Sequence, residues 1–406
     1  MRAVVFTLGC KVNEVESAAI MAELERRGWE VSDELSYADI YVLNTCAVTG
    51  EAERKSRQLV SRVRKFNPDA PIYVCGCASQ KDAKQFERAG VRAVFGARDK
   101  RQVVSRIASD FGGDACEELG SPKRVKTRAF IKIEDGCNNF CSYCVIPYLR
   151  GRVASRTARD IAEEIKACAA PEIVLTGINI SAYDGDGEGL TGLVKALQFT
   201  DKRIRFGSLE CNVIDDKFLT ALKGLKDFAP QFHLSLQSGS DSVLRAMNRH
   251  YTRAEYLNKC ALIYKYFPDA AITTDIIAGF CGESEEDFSD SLSIIDEAGF
   301  ARVHAFAFSP REGTRAYNLP DLVKAVKSRR LHALIEAGKA AEEKYINARL
   351  GREYTVICEE FDGEYTCGYT EGYIKVYAKG KLGGRIRVRL EKLFRDGAVA
   401  TVTERV

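Results

Sequence analysis

Three cysteines, Cys137, Cys141 and Cys144, stand in the short segment DGCNNFCSYCVIP. Thiolates spaced C-x₃-C-x₂-C on one loop can hold three irons of a four-iron cubane and leave the fourth iron without a protein ligand. A structural zinc site would close with four ligands. His233, His250, His304 and His332 lie far from every cysteine group in sequence, and no second C-x₂-C pair completes a tetrahedron, so the histidines read as structural. The chain has 14 cysteines and no apolar N-terminal segment of the signal-peptide kind. A cytoplasmic chain that keeps its thiols reduced for metal or cluster ligation is therefore expected, without a membrane partner.

Hydrophobic periodicity supplies the elements that must carry this loop. Up to about residue 98, short apolar runs (VVFTL, DIYVLN, IYVC) alternate with helical stretches, the pattern of a small parallel α/β sheet. Cys10, Cys46 and Cys77 each fall where one of those strands ends, although 36 and 31 residues separate them. Ligands collect outside the carboxyl ends of parallel strands, so the three can converge; as isolated residues they read equally well as small buried hydrophobes. Cys75 is a rival to Cys77 but lies inside its strand. Residues 112–126, rich in Gly, Pro and mixed charge, read as a linker.

Six further strands follow: RAFIKIE, EIVLTGI, RIRFGSLE, QFHLSLQ, AITTDIIAGF and ARVHAFAFS. Each is trailed by a helical pattern, which makes a partial (β/α)₆ barrel resembling a TIM barrel, with chemistry on the loops after the strands. The triple-cysteine loop is the first of these. Thr176, Gly177, Ser208, Glu210, Gln237, Gly279 and Arg311 also fall at strand ends, where each reads as a loop cap or as part of a ligand rim. DGDGEG, at 184–189, begins like a calcium loop, but its twelfth position is Lys195 rather than Glu, so it reads as a polar turn. After a long helix, the remaining residues turn to strands and turns, a small all-β domain. The expected domains are 1–115, 123–345 and 346–406.

Net charge is only +3, yet residues 54–65 carry six Lys/Arg and no acid, and residues 375–395 carry eight Lys/Arg against Glu391 alone. In GRIRVRL, alternation puts Arg385, Arg387 and Arg389 on one face, and with Lys375 they form a surface suited to RNA.

The cysteine loop GCNNFCSYCVIPYLRGR closely resembles the radical S-adenosylmethionine (SAM) superfamily. TLGCKVNEVES, NTCAVTGEAERKSRQ and VCGCASQ resemble the N-terminal domain of its methylthiotransferases. HLSLQSGSDSVLRAMNRHYT, AGFCGESEEDF, SPREGT and GYTEGYIKVY are most similar to the MtaB type. The resemblance implies a cluster on Cys137, Cys141 and Cys144 whose open iron takes SAM, and an auxiliary four-iron cluster on Cys10, Cys46 and Cys77. It assigns Tyr143 and the strand-end residues above to SAM, and the C-terminal domain to an RNA-binding TRAM module. The implied reaction methylthiolates C2 of N6-threonylcarbamoyladenosine at position 37 in the tRNA anticodon loop by radical chemistry. An electron donor such as flavodoxin or ferredoxin and a sulfur donor are implied as partners. Sister types act on N6-isopentenyladenosine or on an aspartate of a ribosomal protein, and a non-catalytic RNA-binding protein with a structural metal is a further alternative. Cys211 and Cys281 stand where the family pattern has proline.

Overall fold

The computed structural model describes residues 1–114, 116 and 127–405. Of the expected linker, residues 115 and 117–126 lie outside that description. The N-terminal part runs β1 (Arg2–Thr7), α1 (Lys11–Arg26), β2 (Glu30–Ser32), β3 (Ile40–Thr45), α2 (Gly50–Val63), β4 (Ile72–Gly76), α3 (Cys77–Lys81), α4 (Ala83–Arg88), β5 (Ala93–Val94) and α5 (Lys100–Asp110). Its sheet is parallel in the order β2-β1-β3-β4-β5. β3 and β4 are buried throughout, Asn44 and Thr45 at the end of β3 included, because helices cover both faces. Ile20, Leu24, Val103 and Ile107 of α1 and α5 cover one face, and Leu59, Val60 and Phe86 of α2 and α4 the other. On α2 the basic run is the outer face, with Arg54, Lys55 and Arg62 exposed.

The central part runs β6 (Arg128–Lys132), β7 (Glu134–Asp135), α6 (Ile146–Arg150), β8 (Ala154–Ser155), α7 (Ala158–Ala167), β9 (Glu172–Thr176), α8 (Gly189–Ala196), β10 (Arg203–Phe206), β11 (Ser208–Leu209), α9 (Asp216–Lys223), β12 (Gln231–Leu234), α10 (Asp241–Ala246), α11 (Arg253–Tyr266), β13 (Ala271–Ala278), α12 (Glu285–Glu297), β14 (Arg302–Ala307) and α13 (Lys324–Asn347). The expected single strand RIRFGSLE is broken at Gly207. β10 pairs with β9, β11 pairs with β12, and the sheets β6-β9-β10 and β11-β12-β13-β14 meet at that break. A glycine inside a strand permits such a bend at a barrel corner. Ile131, Ile173, Leu175, Ile204, Phe232, Leu234, Ile272 and Ile276 pack outward against the helices. Alternation turns Phe130, Lys132, Glu172, Arg205, His233, Asp275 and His304 into the lumen. His233 and His304, expected to be structural, face one another there with ring centroids 5.7 Å apart. The DGDGEG acids cap backbone: Asp184 accepts from the Gly189 N–H and Asp186 from the Ala158 N–H.

The C-terminal strands β15 (Glu353–Phe361), β16 (Tyr365–Tyr369), β17 (Lys375–Lys379), β18 (Arg385–Phe394) and β19 (Gly397–Arg405) close into a barrel in the order β15-β16-β17-β19-β18. β16, YTCGY, forms although its sequence shows no apolar alternation. This small barrel plugs the amino-terminal end of the larger one. Arg203 donates to the Thr355 carbonyl and Arg205 to those of Thr370 and Glu371, while the stacked pair Tyr369–Tyr373 lies against Arg128 and Arg205. Among the described residues, no helix is long and apolar enough to cross a membrane.

Candidate active site

The cysteine loop leaves the first barrel strand at Gly136, whose φ of +92° and tight packing admit no side chain: a Cβ there would lie 2.1 Å from the Arg152 carbonyl oxygen. The loop closes on itself through Cys144 N–H to the Cys141 carbonyl and Cys137 N–H to the Gly151 carbonyl. It is tied to the loop after α10 by Ser142 N–H to the Met247 carbonyl and by the Asn248 amide to the Asn139 carbonyl. Around the sulfurs stand N–H donors. Asn139 N–H reaches Cys137 Sγ at 3.5 Å, the Asn179 amide reaches it at 3.7 Å, and Arg249 Nη1 lies 3.3 Å from Cys141 Sγ. Burial, then mutual repulsion between the thiolates, pushes Cys144 up to about 12 and raises Cys137. Buried thiols such as Cys137 and Cys144 ionise readily against a cationic centre, and a thiolate-only donor set suits an iron–sulfur cluster. No three or more His, Cys, Asp or Glu among the described residues converge on one metal-ion position; a cubane spreads its thiolates over separate irons.

Beside the loop, Glu134 is buried, with Oε2 accepting from the Asn179 N–H at 2.7 Å and Oε1 without any partner. Burial pushes its carboxyl up to about 7. Gly177 lies directly against this carboxylate. An orphaned acceptor against a glycine is a place for a donor on a bound molecule.

The structure brings Cys10, Cys46 and Cys77 together at the carboxyl end of the N-terminal sheet. Gly76 (φ +110°) lets the end of β4 press onto β3, since a Cβ there would lie 2.4 Å from the Thr45 oxygen. The next residue is Cys77, and Cys46 follows Thr45. Gly9 is packed on Cys46, so that a Cβ would come within 3.2 Å of its sulfur. Burial, together with the repulsion of Cys77 and Cys10, raises Cys46 to about 11. Cys75 is wholly buried in the other core, inside β4.

A buried polar network joins the two triads. Arg150, with 0% exposure, donates from Nη1 to Glu16 (3.0 Å) and Asp135 (3.1 Å), and from Nη2 to Asn13 (2.7 Å) and Glu16 (3.2 Å). Lys100 and Lys132 also hold Glu16, at 3.3 and 3.2 Å. Burial opposes ionisation of Glu16, but the charges of Lys100, Arg150 and Lys132 outweigh it and hold the carboxyl at about 2. The Nε of Arg150 has no oxygen partner, and its guanidinium faces Cys77, offsetting part of the rise that burial imposes on that thiol.

Known proteins resemble this chain along nearly its whole length. Residues 2–96 match the uncharacterized protein family UPF0004 and residues 131–295 the radical SAM superfamily. The threonylcarbamoyladenosine tRNA methylthiotransferase MtaB of Chlamydia pneumoniae is 35% identical over 97% of this chain and 96% of its own, and that of Bacillus subtilis is 34% identical over 98% and 96%. This chain belongs to the MtaB-type radical SAM methylthiotransferases. The tRNA-2-methylthio-N(6)-dimethylallyladenosine synthase of Oceanobacillus iheyensis is 33% identical over 92% of this chain and 78% of its own. In fold, the methylthiotransferase is similar to the radical SAM methyltransferase TsrM of Kitasatospora setae, with a TM-score of 0.58 at 13% identity over 78% of this chain and 77% of that one. As a radical SAM transferase acting on tRNA, it uses SAM and a four-iron cluster.

The methylthiotransferase distributes the remaining expected residues unevenly. Tyr143 packs against the cluster of Phe280, Phe308 and Met247. Glu210 accepts from Asn139 (2.6 Å) and Arg249 (3.1 Å), so it braces the cysteine loop. Gln237 holds a left-handed conformation (φ +74°) and bridges to β13, Thr176 is buried at the end of β9, Ser208 is exposed, and Gly279 packs on Lys327. Arg311 turns away to form an ion pair with Glu53 of α2. In the small barrel, Arg385 pairs with Asp227 across the domain joint at 2.8 Å and Lys375 with Asp396, while Arg387 and Arg389 are exposed and pair with Glu404 and Glu353. Sequence reasoning missed Glu134, Arg150 and Lys11; the signals for the first two were an acid just before the GC of the loop and an arginine just after it.

Proposed function

We propose that this methylthiotransferase converts N6-threonylcarbamoyladenosine beside the tRNA anticodon into its 2-methylthio derivative, using two four-iron clusters. The observation that carries the reading is full-length similarity, at 33–35% identity, to relatives named for that reaction. Cys137, Cys141 and Cys144 would hold the SAM-binding cluster, and Cys10, Cys46 and Cys77 the auxiliary one. C2 of adenine bears a hydrogen that no side-chain base could remove. When bound, the clusters and SAM supply the radical, the methyl group and a point of attachment for sulfur.

The chain's own share is placement. Asn139, Asn179 and Arg249 direct N–H groups at the thiolates, and such donors tune cluster potential. Glu134 offers Oε1 to a donor on SAM, with Gly177 keeping the approach open and Tyr143 and Thr176 lining the same rim. Arg150 sets the two triads relative to one another. Unpaired loop bases are open to such recognition, and Arg387, Arg389 and the outer face of α2 would hold nearby phosphates. The electron comes from a donor such as flavodoxin or ferredoxin, and sulfur from a separate donor.

Nucleoside mass spectrometry of tRNA from cells with and without the gene tests this. Deletion should remove the methylthiolated threonylcarbamoyl nucleoside and leave its unmethylthiolated parent. Persistence of the product in a strain without a paralogue overturns the reading, and loss of the methylthiolated isopentenyl nucleoside instead transfers the chain to the sister type. For the second cluster, anaerobic reconstitution should give about eight irons per chain, and about four would overturn it.

A further inference from the structure

Among the described residues, the Lys and Arg side chains lining the barrel lumen are paired, with one exception. Arg128 and Arg205 share Glu172 at 2.6 and 2.9 Å, Lys132 is held by Glu16 and Asp135, and Arg249 by Glu210. His233 lies 3.2 Å from Asp275, and Arg302 3.7 Å from Glu342. Lys11 opens α1 directly after Cys10 and extends over the lumen-facing ring of Phe130, 5.6 Å from its centroid. Its side chain is exposed, and no carboxylate among the described residues pairs with it. An ammonium left unpaired between an aromatic ring and a rim of matched charges is a site for an anion that arrives with the substrate.

We propose that Lys11 binds the carboxylate of the threonylcarbamoyl group and so determines specificity for that modified adenine over an uncharged one. The inference rests on the reading that threonylcarbamoyladenosine is the acceptor. Two modified adenines that differ by an isopentenyl or a threonylcarbamoyl substituent share a ring and an apolar edge; the carboxylate is the group that sets them apart electrostatically. Phe130 holds the ammonium over its face and gives the base an apolar surface. An acceptor without the carboxylate would leave Lys11 desolvated and unpaired, which is how a site built for a charged group rejects a neutral analogue.

The test uses the full-length reconstituted enzyme and an anticodon stem-loop RNA carrying threonylcarbamoyladenosine either as the free acid or as its methyl ester. Dissociation constants and methylthiolation rates are measured for both. Wild type should favour the acid by roughly 10- to 100-fold, the range of one charge-assisted hydrogen bond. Lys11→Met should bring that ratio near one by raising KM for the acid form, and Lys11→Arg should retain most of it. Lys11 makes no polar bond among the described residues, and iron content equal to wild type shows that the variant is folded and loaded. An unchanged acid-to-ester ratio in Lys11→Met overturns the proposal. Wild type that methylthiolates isopentenyl RNA and ignores the acid RNA overturns it too, and that outcome alone also removes the acceptor assignment on which it rests.

Discussion

Arg150→Met isolates the network that joins the two thiol triads. The guanidinium is fully buried and makes hydrogen bonds to Glu16, Asp135 and Asn13, while Met keeps much of its volume and removes every donor. Breaking a buried ion pair by deleting one partner costs about 3–5 kcal/mol. Glu16 keeps Lys100 and Lys132, which argues for the lower end, about 3 kcal/mol or roughly a 150-fold shift in the folding equilibrium. The effect should depend on pH. The folded carboxyl of Glu16 is held at about 2 against an ordinary 4.5, so its contribution is present above pH 4.5 and lost as pH falls toward 2. The difference between wild type and variant should therefore be large at pH 7 and shrink through that window. Trp29, the chain's one tryptophan, lies in the core of the N-terminal domain and reports its urea unfolding by fluorescence. A midpoint equal to wild type at pH 7, or a difference that does not change down to pH 3, would refute the claim that this network holds the domains together.

Three more perturbations address separate parts of the site. Glu134 has a carboxyl raised from 4.5 to about 7 by burial, so it costs nothing below pH 4.5 and increasingly destabilises the SAM-free protein as pH rises to 7. Glu134→Gln should match wild type in thermal stability at pH 4 and exceed it by up to about 3 kcal/mol at pH 8, and a difference independent of pH would count against the shift. Gly76→Ala places a Cβ against the Thr45 backbone at a φ of +110° and should displace Cys77. Iron should drop from about eight to about four per chain while reductive SAM cleavage persists, and full iron retention would contradict this geometry. Replacing Arg387 and Arg389 with Gln should weaken tRNA binding and flatten the slope of log K against log salt by roughly 1 per lost phosphate contact, so an unchanged slope would place the RNA elsewhere.

Much of this protein was legible along the chain, and the reason is locality. Cys137, Cys141 and Cys144 share one loop, so their spacing already specifies three ligands around a common centre. Strand and helix periods revealed the layers, because the apolar residues of each element must face whatever covers it. Other features depend on segments distant in sequence. Cys10, Cys46 and Cys77 meet only because a parallel sheet aligns the ends of β1, β3 and β4, and because Gly76 lets two of those ends touch. Arg311 and Arg385 have the type and position of ligand-binding residues, yet each is engaged at a joint between domains, by Glu53 and by Asp227. Arg150 shows no special spacing, but docking of the domains buries it among Asn13, Glu16 and Asp135 beside Cys77. Local pattern determined which chemistry the chain carries; the tertiary fold decided which charges are spent on structure and which, like that of Lys11, remain free to meet a substrate, because pairing a charge depends on neighbours that only the folded chain assembles.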